Sequence, residues 1–484
     1  MEEKLTIAGK EIPSNDWEQT PASVKELIRH LEQRILHIEE RLGVTSSNSS
    51  QPPSSDPPKP KKENSNQKKK KRGGQKGHKG FGRYLYEPKD CREVIKHQPK
   101  HCQHCHTQLR GGLPEGNPYR HQIVEIPPVK LDVVEHQLHA LSCPSCGKTT
   151  RASLPPEVAH QGYGERLRAI VGLLSGGYRL SHEKVKNLLW EVFSVRMSVG
   201  SINRIRKQIS ESLEESVEEA RDYVKKSGIT HVDETGWKQH NGDGQNREKK
   251  SSWLWVGHSD LVTVYQVSLN RGQKSAKDLL GEDYGGIVIS DRYGAYNWIP
   301  LEQRQICWAH IKRDLKRISE RKGVSGEIGK ALLKLQQRLF RWWYKVRDGT
   351  LSRPQFEELV VPLRQKFKKL LEEAASWCDS RQEKTPLAKT ARTCAALLKV
   401  EPALWTYVSH EGVEPTNNSA ERSLRTAVIW RKLSFGSQSA QGSEFVARSL
   451  TVVQTLRRHG RAVTHLNWDT VATKMVALQD FWNS

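Results

Sequence analysis

The chain has 484 residues, too many for one ordinary core, so two to four domains are expected. Its 78 lysines and arginines against 55 aspartates and glutamates leave a net charge of +23. Such an excess points to a polyanionic partner, nucleic acid ahead of a membrane surface. No apolar run approaches the roughly 18 residues of a membrane span and no signal-peptide core opens the sequence, so a soluble, cytoplasmic protein is expected, without a membrane partner.

Residues 1–43 read as an N-terminal coiled-coil helix. Thr20 and Pro21 supply an N-cap and a proline at the first helical position. Val24, Ile28, Leu31, Ile35, Ile38 and Leu42 then recur at alternating spacings of four and three, and Gly43 ends the pattern. Two packings suit that seam: a helix laid on its own protein, or a short coiled coil joining two protomers. Residues 44–83 form a basic, Ser-, Pro- and Gly-rich linker, disordered by composition. Within it a lysine run ending at Arg72 leads into a glycine-rich stretch from Gly73 to Gly80. There Lys69, Lys70, Arg72 and Lys76 are candidates for contact with a DNA backbone, although a lysine run is also commonly just solvated.

Residues 84–160 read as a zinc-binding β module. Cys102 and Cys105, then Cys143 and Cys146, form two Cys-x-x-Cys pairs, and four thiolates suit tetrahedral Zn²⁺. Between them Tyr119–Ile126 and Val129–Leu141 flank two prolines, a pattern expected to make a long hairpin. Residues 161–226 are helical in period. A stripe through Val185, Leu188, Leu189 and Val192 precedes Ser198, an N-cap, and a second helix bearing Ser201, Asn203, Arg204 and Lys207. That pair reads as a helix-turn-helix with a DNA-recognition helix, or as a plain helical hairpin.

From 227 to 450 the period switches. Ile229–Asp233 is a short β-branched run ending on a carboxylate, and Ile287–Asp291 repeats the design after a predicted hairpin and helix. Strand, hairpin, helix and strand in that order would set Asp233 and Asp291 on neighbouring strand ends, a ribonuclease-H-like arrangement. A helical insertion is expected at about 312–405, and residues 451–484 are expected to form a C-terminal helical tail. Glu421 follows the insertion at a helix start. Each acid also has a structural explanation: turn initiation for the aspartates, and for Glu421 a capping box with Asn418 or an ion pair with Arg425. Together, in so basic a chain, the three fit a two-metal phosphoryl-transfer site.

His231–Thr235, Ser290–Tyr296, Cys307–His310 with Arg313, Asn417–Arg422, the glycine-rich stretch and the paired cysteines closely resemble the transposases of the insertion sequence 66 family. The resemblance implies an α+β multidomain DDE transposase: coiled-coil helix, zinc module, helix-turn-helix and a ribonuclease-H-like catalytic domain. It implies Asp233, Asp291 and Glu421 as the catalytic triad, holding two Mg²⁺ (or Mn²⁺). His310, Arg313, Arg422, Arg425 and Lys432 are then candidates for contact with DNA. Expected partners are the transposon's terminal inverted repeats, target DNA, further copies of the chain in a synaptic complex, and accessory transposition proteins of a bacterial host. The rival readings are a catalytically silent DNA-binding regulator and another ribonuclease-H-like nuclease.

Overall fold

The computed structural model describes residues 4–7, 10–42, 44–49, 82–109, 116–156, 158, 162–378 and 382–460. Lys69, Lys70, Arg72 and Lys76, the glycine-rich stretch and residues 461–484 lie outside them. The chain divides into two units, Lys59–Asp132 and the remainder.

In the larger unit, β1 (Lys4–Ile7) and β2 (Lys10–Pro13) form a small antiparallel ladder before α1 (Ser14–Glu18) and α2 (Ala22–Leu42). Along α2, Val24, Leu31, Ile35 and Ile38 of the expected seam are all exposed. Further on, β3 (Ala140–Ser142) pairs with β4 (Thr149–Arg151) around the second cysteine turn. The smaller unit is mostly irregular backbone, with one 3-10 turn at Pro88–Asp90 and an isolated bridge from His101 to Gln108 around the first cysteine turn. The long hairpin expected over 119–141 does not form: residues 119–139 make no ladder. Two adjacent prolines remove donors midway, and Ile123 and Val133 stay 87% and 78% exposed. A two-stranded ribbon with no covering layer has too little to hold it.

Helices α3 (Glu165–Gly172), α4 (His182–Phe193), α5 (Val199–Ser212) and α6 (Glu214–Lys226) lead into the sheet. Ser181 and Ser198 cap α4 and α5 through the backbone N–H groups of Lys184 and Ser201, as the sequence predicts for α5. The sheet comprises β5 (Ile229–Trp237), β6 (Ser252–His258), β7 (Thr263–Ser268), β8 (Ile287–Ser290) and β9 (Arg304–Ile306), with α7 (Gln273–Leu280) between β7 and β8. Its order is β7-β6-β5-β8-β9, antiparallel through the first three strands and parallel from β5 to β9. Gly286 lets β8 begin beside β5, because a Cβ there would sit 2.4 Å from the Ser227 carbonyl oxygen.

After β9 come α8 (Trp308–Ser319), α9 (Gly323–Arg347), α10 (Arg353–Ala375), α11 (Pro386–Leu398) and α12 (Thr406–Ser409), a run of helices standing before the chain's return to the sheet. Its core gathers Trp308, Leu332, Trp343, Phe356, Phe367, Trp405 and Tyr407. The chain returns to the sheet with α13 (Asn418–Ser434) and α14 (Ala440–Arg458). Two expected boundaries give way here. The one at 450 falls inside α14, whose Thr451 and Thr455 hydroxyls accept the β7 backbone N–H groups of Tyr265 and Thr263 at 3.0 and 3.1 Å. The helices of 161–226 have no core of their own either: Val185, Leu189, Ile202 and Ile209 pack with Leu254, Leu424, Phe445 and Leu450 in one cluster.

Candidate active site

Strand parity decides where each acid points. On β5, His231, Asp233, Thr235 and Trp237 face α13 and the segment after it. His231 Nδ1 meets Asn417 Oδ1 at 3.2 Å, and Trp237 Nε1 donates to Ser437 Oγ at 3.1 Å. Val232 and Glu234 face the other side, where Val232 packs with Trp255, Val264 and Tyr296. Asp291 follows directly on β8, whose parallel register pairs His231 with Ile289, so Asp291, just past the end of β8, comes level with Asp233 inside β5 and not at the strand end that the sequence suggests. Asp291 Oδ1 is fixed by the Tyr293 N–H at 2.8 Å.

Glu421 arrives from α13, and Asn417 holds that helix in place. Its side-chain amide donates to the Val232 carbonyl at 2.7 Å, and its own N–H reaches the Cys307 sulfur at 3.2 Å. Neither structural explanation of Glu421 is realised. The helix has no side-chain cap, and Arg425 makes no ion pair with Glu421 among the described residues. Glu421 instead turns to His310, whose Nδ1 lies 3.8 Å from its Oε1. Both atoms are buried and lack a hydrogen-bond partner.

The electrostatics follow from this crowding. Burial, then the charges of Glu234 and Asp291, push the Asp233 carboxyl well above its ordinary value, and Glu421 adds to the effect. Burial lowers the His310 pKa, and Arg313 lowers it further, against the charges of Glu421, Asp291 and Asp314, which raise it. Among the described residues no lysine or arginine pairs with Asp233, Asp291 or Glu421. Among the described residues, the only three His, Cys, Asp or Glu ligand atoms lying mutually within 4.8 Å belong to Cys307, His310 and Glu421. Cys307 is no ready ligand there, since burial pushes its thiol up to about 11 and its sulfur already accepts the Asn417 N–H.

Glu234 is a fourth carboxylate that motif reading passes over. Its side chain is only 2% exposed, accepts Tyr296 Oη at 2.7 Å and pairs with Arg271 at 3.0 Å. The Arg271 guanidinium sits over the Trp253 and Tyr293 rings at 4.2 and 4.0 Å. Acid next to acid in the sequence is the one signal that could have flagged it. A cleft of about 470 Å³ opens at this end of the sheet, lined by Asp233, Glu234, Asn418, Glu421, Arg422 and Arg425 among others. Arg422 and Arg425 are exposed at its rim, and Lys432 is exposed further along α13. Arg313 is half-buried one turn from His310. Arg431, by contrast, folds back onto the Gly236 carbonyl and Thr235 Oγ1, so it braces β5 rather than standing free for phosphate.

On α5, Asn203, Arg204 and Lys207 are exposed, while Ser201 is half-buried against Ser198. Each cysteine pair forms its own turn: the Cys102 N–H donates to the Thr107 carbonyl at 2.9 Å, and the Cys143 N–H to that of Lys148 at 2.9 Å. The backbone N–H groups of Cys146 and Ser145 lower the Cys143 thiol pKa, as a metal-binding turn requires.

Residues 164–445, more than half of the chain, match the family described as Transposase IS66 family. The chain belongs to the IS66 transposase family. Residues 99–147, spanning all four paired cysteines, match the zinc-finger binding domain of transposase IS66. Residues 10–84 match a family of unknown function, DUF6444. A comparison with curated proteins gives no match. An IS66 transposase carries a zinc-finger module and cuts and transfers DNA, and the mixed α/β architecture described above is the frame on which this one is built.

Proposed function

We propose that this IS66 transposase acts by DDE chemistry, with Asp233, Asp291 and Glu421 holding two Mg²⁺ or Mn²⁺ ions over a scissile phosphate. The observation that carries the reading is the half-buried Asp233, lining one cleft with Glu421 and level with Asp291 past the neighbouring strand, with no lysine or arginine paired to any of the three among the described residues. Burying like charges together is costly unless a cation joins them. The donor set fits such a cation: carboxylate oxygens are the ligands hard divalent ions prefer, and Glu421 Oε1 is a buried acceptor with nothing to accept. The sheet order, with three antiparallel strands and two parallel additions, supports a ribonuclease-H-like domain interrupted by the α8–α12 insertion.

When bound, the ions would supply the charge that activates the attacking oxygen and steadies the leaving one. The protein's own part is to position. Asp233 is held within β5, where it pairs with Val256 of β6, Asp291 directly follows β8, and Asn417 fixes the helix of Glu421 to β5. Arg422 and Arg425 stand at the rim, where they would grip the flanking phosphates. Water would add to phosphorus at the element's end as the 3′-oxygen departs. The freed 3′-hydroxyl would then attack a target phosphate in the same way, displacing a target 3′-oxygen. No covalent enzyme intermediate is needed. Asn203, Arg204 and Lys207 on α5 would read the terminal repeats. Cys102, Cys105, Cys143 and Cys146 would hold a structural Zn²⁺. The exposed seam of α2 would join two protomers.

The test is joining of a labelled element end, taken from DNA flanking the gene, in Mg²⁺ or Mn²⁺. Asp233→Asn, Asp291→Asn and Glu421→Gln should each lose joining by about a hundredfold or more while still binding the end. Joining at the parental rate by these variants refutes the assignment.

A further inference from the structure

We propose that the groove between α8 and α9 receives an unstacked nucleotide of the DNA strand running from the acid cleft, with Gln336 and an aromatic ladder holding its base. The inference rests on the reading of that cleft as a DNA strand-transfer site. The groove encloses about 500 Å³, within the roughly 300–1,000 Å³ of sites that enclose small organic ligands. Asn418 lines both it and the acid cleft, so the two cavities meet at the first residue of α13.

Three further observations identify the occupant. Gln336 lines the groove, is only 4% exposed, and its Oε1 has no hydrogen-bond partner. Leaving a buried carbonyl oxygen unpaired is unfavourable, so a ligand N–H is wanted there. Every DNA base offers one, as an exocyclic amine or a ring imide. Trp308, Phe340 and Tyr344 make an edge-to-face ladder from the core to the groove mouth, with centroids 6.3 and 6.4 Å apart. Its outer member, Tyr344, is 58% exposed and free to stack on a base. Finally, Lys312 and Arg341 flank the groove, exposed and without an ion pair among the described residues. An aromatic platform between unpaired cations is how proteins hold unpaired DNA, base on ring and phosphate on charge.

The experiment measures binding of the full chain to a fluorescein-labelled single-stranded oligothymidylate and to the same backbone carrying abasic sites. The parent should prefer the oligothymidylate by about tenfold. Tyr344→Ala should erase that preference and leave abasic binding intact, and Tyr344→Phe should restore it. Lys312→Ala with Arg341→Ala should weaken both oligonucleotides alike. Gln336→Leu should lower oligothymidylate affinity while raising the thermal midpoint, since it removes an unsatisfied buried oxygen. A fall in that midpoint would mark Gln336 as a structural residue and overturn its role. Equal binding of the two oligonucleotides by the parent, or an unchanged preference in Tyr344→Ala, would overturn the groove assignment. Asp233→Asn should keep the preference while losing strand joining, so the groove and the acid site succeed or fail separately.

Discussion

His258 lies under the acid cleft on the α13 side of the sheet, where it meets Thr263 Oγ1 at 2.8 Å and His231 edge to face at 6.0 Å. Burial, then the charges of Arg458, His231 and Arg422, lower its pKa to about 3. The folded protein therefore keeps His258 neutral at a pH where the unfolded chain, with an ordinary value near 6.5, takes up a proton. A depressed folded pKa gives stability that is fully present above pH 6.5 and is lost as the pH falls toward 3. At pH 5 the loss from this one group is about 2 kcal/mol, 1.5 pH units at 1.36 kcal/mol each. Urea unfolding at pH 7.5 and pH 5 should show a stability drop in the parent that shrinks by about that amount in His258→Asn. An equal drop in both proteins would show that His258 is not the acid-sensitive group. Glu234 carries a different lesson at this scale. It takes the face opposite Asp233, and its partners Arg271 and Tyr296 lie 37 and 62 residues away, so no local pattern announces that it is buried.

Among the elements, α13 is tied to the sheet at its start by Asn417, and further along by Arg431 and by Leu424 in the shared core. Asn417 reaches β5 twice and Cys307 once, and the neighbouring Pro415 carbonyl accepts the Trp308 N–H at 2.9 Å. Asn417→Ala leaves the Val232 carbonyl without its donor, and should cost about 1–3 kcal/mol in a denaturant titration. Strand joining should fall further than that loss accounts for under conditions where the variant is fully folded, because Glu421 rides on the helix. If joining fell only in proportion to the folded fraction, Asn417 would be a stabilising residue with no part in placing the acid. What was legible here is instructive. The β-branched runs before Asp233 and Asp291 are local and both form strands, but β5 runs on to Trp237 in its pairing with β6, so Asp233 lies inside its strand rather than at the expected end. The capping-box spacing of Asn418 and Glu421 is equally local but is not realised, since the tertiary contacts of Asn417 and His310 take precedence. The prolines at 127 and 128 were visible in the sequence, but their effect depends on a covering layer, which only the fold can supply or withhold.

At the scale of the whole molecule, the seam on α2 is the large apolar feature that the described residues leave uncovered. Val24, Leu31, Ile35 and Ile38 are 40%, 48%, 50% and 51% exposed, and they stand at the a and d spacings of a left-handed coil. Among the described residues these four stay exposed, and of the two packings open to this helix the proposed one joins two protomers. A second copy of the same helix, as proposed above, would bury all four and bring two acid clefts into one assembly. Leu31→Lys with Ile35→Lys puts charges at the centre of that interface and should convert a dimer to a monomer in sedimentation experiments. The sheet core is remote from the change in sequence, so the thermal midpoint of the main transition should hold. Binding of a single labelled end should persist, while concerted joining of two ends should fail. A variant that still sediments as a dimer would leave α2 outside the protomer interface and return its seam to some other partner.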